Sequence, residues 1–484
     1  MIGAHYPARS LTENSSLFSY IFQYITSDYC YQLPSKSTIF SDYITVVSCF
    51  CLMYTWAMMS SERFLSTSLR AAAHGNSVAR MLAAALNAVE PGAVVKFFLD
   101  ERPLPAVSHT FALGLGKAAC AMTQAVADIT NLDDTLVITK HASNLTVRPV
   151  TVLEGDHPVP GDASISAGLA AMKFLSQLKA DDLLVCLISG GGSALMSAPR
   201  IPLFDLQSLT SALLACGARI DEINILRRHL DHLKGGGMAG MANGTRIVSL
   251  ILSDVVDDSL ETIASGPTAP DPTTCADALS ILRKYDLLHK IPDSIVSALQ
   301  ETLKPSDPVF DKVQNWIIAS NHIALRAAQA HASAEGFQTN FLRTSLQGEA
   351  RIVGREIALQ FRESLQTMQR PFCLLAGGET TVTLHGNGKG GRNQELALAA
   401  VEVLSGLKNV LFISLATDGE DGPTDAAGAV VTGETSKRAE SLGMSVSDYL
   451  SRNDAYPFFD ELGDLLRIGS TGTNVNDLIL CAAI

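Results

Sequence analysis

Two glycine-rich segments of the chain carry groups suited to holding phosphate. The first reads Gly-Leu-Gly-Lys over residues 114–117 and lies between an apolar run and an alanine-rich run that predicts a helix. Amides at a helix N-terminus are unpaired and attract anions, and a lysine there adds positive charge. The second reads Ser-Gly-Gly-Gly-Ser over residues 189–193. Successive glycine amides can converge on one anion, so this segment predicts a phosphate-binding nest.

Charged residues accompany other predicted elements. Asp254 and Asp418 each come just after an apolar run that predicts a buried strand. Carboxylates in such loops can bind Mg²⁺ or accept a proton from a hydroxyl group. Arg392 precedes a predicted helix, and its guanidinium can clamp a phosphate or a carboxylate. Together these residues favour phosphoryl transfer, in which positioning and charge stabilisation dominate.

Structural interpretations stay open for several of these residues. Lys117 is equally well explained as a solvated lysine beside a tight turn. Lys234 precedes three glycines, so it is either a further phosphate contact or part of a glycine-capped helix end. Asp254 can be a turn residue or a helix N-cap. His157 is the most site-like histidine, and a structural hydrogen-bonding role explains it at least as well.

Missing patterns exclude several enzyme classes. The sequence contains no GxxxxGK[ST] segment of the P-loop enzymes and no GxSxG nucleophile elbow. The acidic loop over residues 417–425 lacks the spacing of an EF-hand. Residues 114–119 have the form GxGxxA, which could open a dinucleotide-binding fold. The next predicted strand ends at Lys140, where a nicotinamide-binding fold carries an acid, so that fingerprint is incomplete.

Apolar runs alternate with helical patterns along most of the chain. This alternation predicts an α/β fold with two domains. We predict a Rossmann-like N-terminal domain over residues 61–306, with a mainly parallel sheet covered by helices on both faces and one helix spanning 60–89. A polar, proline-containing stretch follows, and a mixed-sheet α/β domain is predicted over residues 315–484, restarting with a strand at Trp316. Ligands bind such parallel sheets at the loops after the strand C-termini, where the segments above lie.

Composition limits the classes of partner. The 484-residue chain has a formal net charge of −13, which excludes the basic surface typical of nucleic-acid-binding proteins. Nine cysteines without a CxxC pair indicate a reducing compartment, so we expect a cytoplasmic protein. Residues 1–60 are expected to form a poorly ordered extension, whose apolar run over 43–59 is too short for stable membrane insertion. Translation from Met58 or Met59 would expose a presequence-like stretch, which leaves a mitochondrial location open.

Taken in order, the loops of the chain resemble those of the class II glycerate kinases. The matching segments are GLGKAA, EGDHPVP, LISGGGSAL, LKGGG, LSDVVDD, ASGPTAPDP, LLAGGET, GRNQELAL, ATDGEDGPTDAAGA and GTNVNDL. The resemblance extends from about Arg80 to the C-terminus. It implies an N-terminal glycerate-kinase domain and a C-terminal MOFRL domain, here the region of about 370–484. One departure is Thr380, where the family usually has proline; we expect activity to survive it.

The resemblance implies phosphorylation of D-glycerate, dependent on ATP and Mg²⁺, in the cleft between two domains. The family's catalytic lysine and arginine map onto Lys117 and Arg392. Its two acids map onto Asp254 and Asp418, one of which would hold Mg²⁺ while the other acts as base. We assign the nucleotide phosphates to Gly114, Gly116, Ser189, Gly190, Gly191, Gly192, Ser193 and Lys234. We assign the substrate to Glu379, Asn393, Glu395, Asp425, Thr473 and Asn474.

Two other functions stay open at this point. A nicotinamide-dependent hydroxypyruvate reductase would draw on the GxGxxA segment, and NADH oxidation by hydroxypyruvate would detect it. A non-catalytic sensor of sugar acids or nucleotides would need neither Asp254 nor Asp418, and release of ADP would exclude it. The sequence also leaves open whether the 2- or the 3-hydroxyl is phosphorylated and whether the protein is a monomer or a homodimer.

Overall fold

The computed structural model describes residues 59–484. The extension predicted over residues 1–60 therefore lies almost wholly outside the described residues. The strands of the described part are β1 (Thr110–Leu115), β2 (Asp134–Thr139), β3 (Thr151–Glu154), β4 (Leu183–Ile188), β5 (Arg246–Leu252), β6 (Val313–Ala319), β7 (Gln338–Leu346), β8 (Phe372–Gly378), β9 (Val410–Ala416), β10 (Gly428–Thr432), β11 (Leu465–Leu466) and β12 (Asp477–Ala483).

The helices are mostly short, and several begin with side-chain caps such as Thr274, which accepts from the amide of Asp277. They are α1 (Thr67–Ala71), α2 (Gly75–Asn87), α3 (Pro91–Glu101), α4 (Ala119–Ala127), α5 (Asp162–Leu175), α6 (Gly192–Leu195), α7 (Leu203–Ala215), α8 (Ile220–His229), α9 (Gly237–Met241), α10 (Cys275–Lys284), α11 (Asp293–Ala298), α12 (Asn321–Ala334), α13 (Ala350–Thr367), α14 (Arg392–Leu404), α15 (Thr435–Ser441), α16 (Val446–Ser451) and α17 (Ala455–Leu462).

The first sheet is parallel throughout. Its six strands lie in the order β3-β2-β1-β4-β5-β6. All residues of β4 are buried, as expected for a strand covered on both sides. The strand order reverses between β1 and β4, and doubly wound sheets bind ligands at such a switch point. The loops after β1 and β4 are the two glycine-rich segments found in the sequence.

Four helices that lie between β4 and β6 in the sequence form a small cluster. Helices α7, α8, α10 and α11 share a core of their own that includes Leu209, Leu226, Leu282 and Ile295.

The second sheet is mixed. Its six strands lie in the order β11-β10-β9-β12-β8-β7, and only β7 and β8 pair in parallel. Helix α14 is buried along almost its whole length and packs in the same core as Phe372, Phe412 and Phe458. The predicted fold class of two α/β sheets, one mainly parallel and one mixed, is confirmed.

The chain divides into two compact units. We call residues 90–320 with 472–475 the parallel-sheet unit, and residues 59–89, 321–471 and 476–484 the mixed-sheet unit. These bounds differ from the predicted 61–306 and 315–484. The strand expected to open the second domain at Trp316 is β6, which pairs with β5 in the first sheet.

Residues 61–89 also differ from prediction. They form a 3₁₀ turn over Ser61–Phe64 followed by α1 and α2, instead of one helix. They belong to the mixed-sheet unit, in which Arg80 pairs with Glu335 and Ser77 Oγ donates to the same carboxylate at 2.9 Å. In the described residues no single helix is long and apolar enough to cross a membrane; α2 and α3 meet that criterion only together, as a bent pair.

Candidate active site

The loops after β1 and β4 pack against each other at the carboxyl edge of the parallel sheet. The amide of Ala118 donates to Ser189 Oγ at 3.0 Å, and the amide of Lys117 donates to the carbonyl of Gly190 at 3.0 Å. Gly116 has a φ of 118°, and a Cβ there would lie 2.3 Å from Ser189 Oγ. Glycine is therefore required at 116, and the close approach places Lys117 beside the Ser-Gly-Gly-Gly-Ser segment.

The Ser-Gly-Gly-Gly-Ser segment keeps amides available for a ligand. Gly191 has a φ of 86°, and the ring of His157 lies 3.2 Å from the position a Cβ would take. The amides of Gly190 and Gly191 donate to no other described residue. Ser193 Oγ lies 2.8 Å from Ser265 Oγ. The geometry therefore supports the predicted nest, in which backbone N–H groups face an anion.

Asp254 follows β5 and its carboxylate lies against the nest. A Cβ on Gly190 would be 2.1 Å from Asp254 Oδ2, so only glycine leaves room for this carboxylate. The side chain is half-buried. Burial raises the pKa of Asp254, and the nearby charge of Lys117 opposes that rise. A desolvated carboxylate with a raised pKa is suited to accept a proton.

Two lysines make this edge of the sheet cationic. Burial, followed by the charges of Lys117 and Lys140, lowers the pKa of His157 to about 4. The imidazole is therefore neutral at pH 7. Both lysines are exposed, and neither forms an ion pair with a carboxylate in the described part of the chain. An approaching anion thus meets two exposed ammonium groups that are in no ion pair with the described residues.

Lys234, also in the parallel-sheet unit, is buried. Its ammonium contacts Asp231 Oδ2 at 2.7 Å and donates to the carbonyl of Met196 at 3.1 Å. The side chain is only 4% exposed. This buried ion pair fits the structural interpretation of Lys234, and its assignment to the nucleotide phosphates stays a prediction.

Arg392 begins α14 in the mixed-sheet unit, and carboxylates hold it. Its Nε and Nη2 donate to the two carboxylate oxygens of Asp477 at 2.7 and 2.9 Å, and Nη1 lies 2.9 Å from Glu379 Oε1. Burial would lower the pKa of Arg392, but Asp477 and Glu379 outweigh it and raise that pKa. Glu379, predicted to bind substrate, has a side chain 45% exposed, whereas that of Asp477 is 3% exposed.

Two predicted substrate ligands on α14, Asn393 and Glu395, are buried. Asn393 donates from Nδ2 to Asp477 at 2.8 Å and accepts from Ser414 Oγ at 2.6 Å. The Glu395 carboxylate is bound by Arg351 at 2.7 Å and by Asn453 at 2.8 Å. Both side chains are thus hydrogen-bonded inside the core, and their assignment to the substrate stays a prediction.

Three acids of the loop after β9 lie in different environments. Asp418 is half-buried and its Oδ1 accepts from the amide of Glu420 at 3.1 Å. Asp421 is buried and accepts from the first amides of α14. Asp425 lies outward, where it accepts from Tyr456 Oη at 2.7 Å and pairs with Arg467 at 3.2 Å. Asp425 is therefore outside the Arg392 network.

Thr473 and Asn474 belong to the parallel-sheet unit, although the residues on either side of 472–475 belong to the other unit. Thr473 is buried and Asn474 is half-buried. Their predicted contact with substrate stays a prediction.

Comparison with known proteins identifies the family. The model described as "Domain of unknown function (DUF4147)" matches residues 77–300, and the MOFRL family model matches residues 372–477. The chain is 40% identical to a glycerate 2-kinase of Pyrococcus horikoshii, over 83% of this chain and 95% of that protein. It is also 40% identical to a D-glycerate 2-kinase of Thermotoga maritima, over 82% and 95%.

This chain belongs to the glycerate kinase family.

Solved structures agree with this assignment to the glycerate kinase family. A crystal structure of a glycerate kinase from Thermotoga maritima superposes with a TM-score of 0.78 at 38% identity, covering 84% of this chain and 98% of that one. One relative has a different name: a putative hydroxypyruvate reductase of Agrobacterium vitis is 39% identical over 82% of this chain and 92% of that protein. The resemblance read from the loops is confirmed.

Two acids of this glycerate kinase site were missed in the sequence. Asp477 follows Asn474 in the segment GTNVNDL, and its carboxylate holds both Arg392 and Asn393. Asp421 caps α14 from a different loop, and burial raises its pKa to about 7, with the charge of Asp477 contributing. The sequence did contain a signal for Asp477, because this acid lies in GTNVNDL, one of the segments that resemble the family, at the start of an apolar run.

Proposed function

We propose that this protein transfers the terminal phosphoryl group of ATP to the 2-hydroxyl of D-glycerate, giving 2-phosphoglycerate and ADP. The names of the two relatives at 40% identity support the substrate and the choice of hydroxyl. The observation that carries the proposal is the pairing of an exposed lysine and a glycine nest with a half-buried carboxylate at the switch point of a parallel sheet. That combination provides cation, amides and base for phosphoryl transfer.

The parallel-sheet unit would bind the nucleotide and activate the hydroxyl. The amides of residues 190–191 and the ammonium of Lys117 would hold phosphate oxygens. The hydroxyl oxygen of glycerate attacks the terminal phosphorus, and the bond from that phosphorus to the ADP oxygen breaks. Asp254 accepts the hydroxyl proton, a role favoured by its raised pKa.

The mixed-sheet unit would contribute charge stabilisation. Asp477 fixes Arg392 through Nε and Nη2, so the guanidinium is oriented before any substrate arrives. We assign Arg392 to the negative charge that develops on the transferring phosphoryl group. Its Nη1 edge now faces the more exposed Glu379, and a phosphate oxygen would replace that carboxylate as its partner.

Magnesium fits the donor set of the two acids. Carboxylate oxygens are the ligands that Mg²⁺ prefers, and Asp418 offers a half-buried carboxylate after β9. With Asp254 assigned as base, Asp418 is the proposed metal ligand. A bound Mg²⁺ would neutralise phosphate oxygens. A variant Asp418→Asn should then need more Mg²⁺ for half-maximal activity than the unsubstituted protein.

The test is product analysis. Purified protein with ATP, Mg²⁺ and D-glycerate should release ADP, and phosphorus NMR should show a phosphate ester on carbon 2. The L-enantiomer is the stereochemical control. Absence of ADP release with D-glycerate would overturn the function, and an ester on carbon 3 would overturn the regiochemistry alone.

The alternative of hydroxypyruvate reduction has one observation in its favour, the name of the Agrobacterium vitis relative. The end of β2 argues against it, because Lys140 stands just after the strand, at the position where an acid would bind the nicotinamide ribose. NADH oxidation by hydroxypyruvate in the absence of ATP would establish the reductase, and no change in absorbance would exclude it.

We also propose a cytoplasmic location. Six cysteines of the described residues are free thiols, and thiols persist in reducing compartments. Microscopy of a full-length fusion would test this, and co-localisation with mitochondria would favour the start at Met58 or Met59.

A further inference from the structure

A left-handed turn over residues 264–266 packs against the glycine nest in the parallel-sheet unit. Ala264, Ser265 and Gly266 have φ values of 51°, 61° and 62°. Residues with a side chain disfavour this backbone region, so two consecutive non-glycine residues there are unusual. All three residues are buried. Such backbone strain persists only where the surrounding structure holds it, and it concentrates at functional sites.

Backbone hydrogen bonds hold this turn in place. The carbonyl of Ser265 accepts from the amide of Gly235 at 3.0 Å. The carbonyl of Gly266 accepts from the amide of Gly236 at 2.7 Å, and the amide of Gly266 donates to the carbonyl of Ile263 at 2.9 Å. The turn is therefore tied to the triple-glycine segment over residues 235–237, which fixes its backbone independently of any ligand.

Two contacts join the turn to the glycine nest. Ser265 Oγ lies 2.8 Å from Ser193 Oγ, and among residues 59–484 Ser193 is the only hydrogen-bond partner of this hydroxyl. Because Ser265 is fully buried, its proton is satisfied only if Ser265 donates and Ser193 accepts. A Cβ on Gly192 would lie 2.8 Å from the Cβ of Ala264, so glycine at 192 permits this close approach.

We propose that Ser265 is a positioning residue whose hydroxyl holds Ser193 and thereby fixes the nest, so that the amides of residues 190–191 are presented to the phosphates of ATP. This role rests on the proposed function, because it takes the nest as the nucleotide site. Ser265 itself contacts no reacting atom. Since backbone hydrogen bonds hold the turn, the Ser265 hydroxyl has little freedom to move away from Ser193.

Two substitutions of Ser265 separate the role of its hydroxyl from that of its backbone. Ser265→Ala and Ser265→Gly both remove the hydroxyl, so both should raise the KM for ATP about 2- to 10-fold, the range expected for one hydrogen bond. Glycine suits a φ of 61° better than alanine, so Ser265→Gly should melt at a higher temperature than Ser265→Ala. A normal KM for ATP in Ser265→Gly together with a raised one in Ser265→Ala would overturn the proposal, because the effect would then follow stability alone.

The kinetic effect should be confined to the nucleotide. The kcat at saturating ATP and the KM for D-glycerate should change less than about twofold, because bound ATP restores the conformation of the nest. Ser249→Ala is the matched control, since it removes another buried hydroxyl of this unit, one that donates to Thr268 Oγ1 at 3.1 Å. That control should lower the melting temperature and leave the KM for ATP unchanged. Equal increases in the KM for ATP in Ser249→Ala and Ser265→Ala would contradict a specific role of Ser265.

The double variant Ser193→Ala/Ser265→Ala tests the route of the effect. If Ser265 acts through the hydroxyl of Ser193, its removal should add nothing once that hydroxyl is absent. The KM for ATP of the double variant should therefore equal that of Ser193→Ala. Additive increases would show that Ser265 does not act through Ser193, and the assigned role would be wrong.

ATP binding without D-glycerate separates failure of this inference from failure of the proposed function. ATP with Mg²⁺ at millimolar concentration should raise the melting temperature of the unsubstituted protein, and should raise that of Ser265→Gly by less. Equal shifts in the two proteins would overturn the positioning role and leave the nucleotide site in place. If ATP stabilises neither protein, the nucleotide assignment fails, and the role of Ser265 fails with it.

Discussion

The two cationic side chains that we assign to catalysis, Lys117 and Arg392, are positioned in different ways. Lys117 is exposed and has no carboxylate ion-pair partner among the described residues. Its position is set by backbone amides, since the amide of Lys117 donates to the carbonyl of Gly190 and that of Ala118 to Ser189 Oγ. Arg392 is held by side chains, with Asp477 on two of its nitrogens and Glu379 on the third. The position of Lys117 therefore depends on glycines, which have no side chains, whereas the position of Arg392 depends on hydrogen bonds to other side chains.

This difference determines what a substitution removes. At Lys117 the charge can be deleted without leaving a buried partner, so the loss should appear in catalysis alone. At Arg392 the buried acid depends on the guanidinium, and breaking a buried pair costs about 3–5 kcal/mol of stability. Substitution of Lys117 should thus lower activity without lowering stability, whereas substitution of Arg392 should lower both.

The largest expected effect is that of Lys117→Ala. Removing a positioned donor to a developing charge lowers kcat about 10²- to 10³-fold. The melting temperature should not change, because the side chain is exposed. Lys173→Ala, on the exposed face of α5, is the control and should retain full activity. Full activity of Lys117→Ala together with inactivity of Lys140→Ala would assign the phosphate contact to the other lysine.

Gly190→Ala tests whether missing side chains shape the nest. The new Cβ would lie 2.1 Å from Asp254 Oδ2 and must displace that carboxylate. We expect kcat to fall about 10²-fold, the loss typical of a misplaced catalytic group. The double variant Gly190→Ala/Asp254→Ala should be no slower than Asp254→Ala alone, because the clash then has no partner. Additive losses would show that Gly190 acts independently of Asp254.

Asp477→Asn tests the side-chain network in the mixed-sheet unit. The amide would turn a donor toward Arg392 Nε or Nη2, so the guanidinium would shift and kcat should fall about tenfold with little change in KM. Asp464→Asn is the matched control, since Asp464 is a buried acid that pairs with Arg438 at 2.6 Å. That control should lower the melting temperature and leave kcat unchanged. An equal loss of kcat in both variants would mean that the effect is only structural.

The same contrast explains what the sequence could predict. The loops after β1 and β4 can be recognised from short stretches of sequence, in which a strand, glycines and a helix follow one another. The glycines in these stretches predict both the tight turn and the amides that could bind an anion. The predictions for Lys117, the glycine nest and Asp254 could therefore be made from residue types and spacing alone. The partner of Arg392 is 85 residues away in the chain, and no local spacing reveals that contact.

The first turn of α14 shows the same limit of local patterns. Asn393 and Glu395 stand in the first turn of a helix after a glycine-rich loop, which is typical of ligand-binding residues. In the structure this helix is buried on nearly all sides, so its first turn faces the core. The polar side chains of this turn have partners inside the core: Asn393 Nδ2 donates to the carboxylate of Asp477, and the Glu395 carboxylate accepts from Arg351.

The smallest expected effects concern the dependence of stability on pH. His157 in the parallel-sheet unit and Asp421 in the mixed-sheet unit should contribute to this dependence in opposite directions. The pKa of His157 is lowered from 6.5 to about 4, so the unfolded chain binds more protons between these values and the stability contribution is lost as pH falls through that window. The pKa of Asp421 is raised from 3.8 to about 7, so the folded chain binds more protons between these values and stability is lost as pH rises through that window.

Melting temperatures of two variants between pH 4 and pH 7.5 would measure both contributions. Relative to the unsubstituted protein, His157→Gln should gain stability as the pH falls from 6.5 toward 4. Asp421→Asn should gain relative stability as the pH rises from 4 toward 7, on top of a constant loss from one unpaired α14 amide. The two difference curves should therefore slope in opposite directions. Parallel slopes would mean that burial does not set these two pKa values, because burial disfavours the cation at His157 and the anion at Asp421.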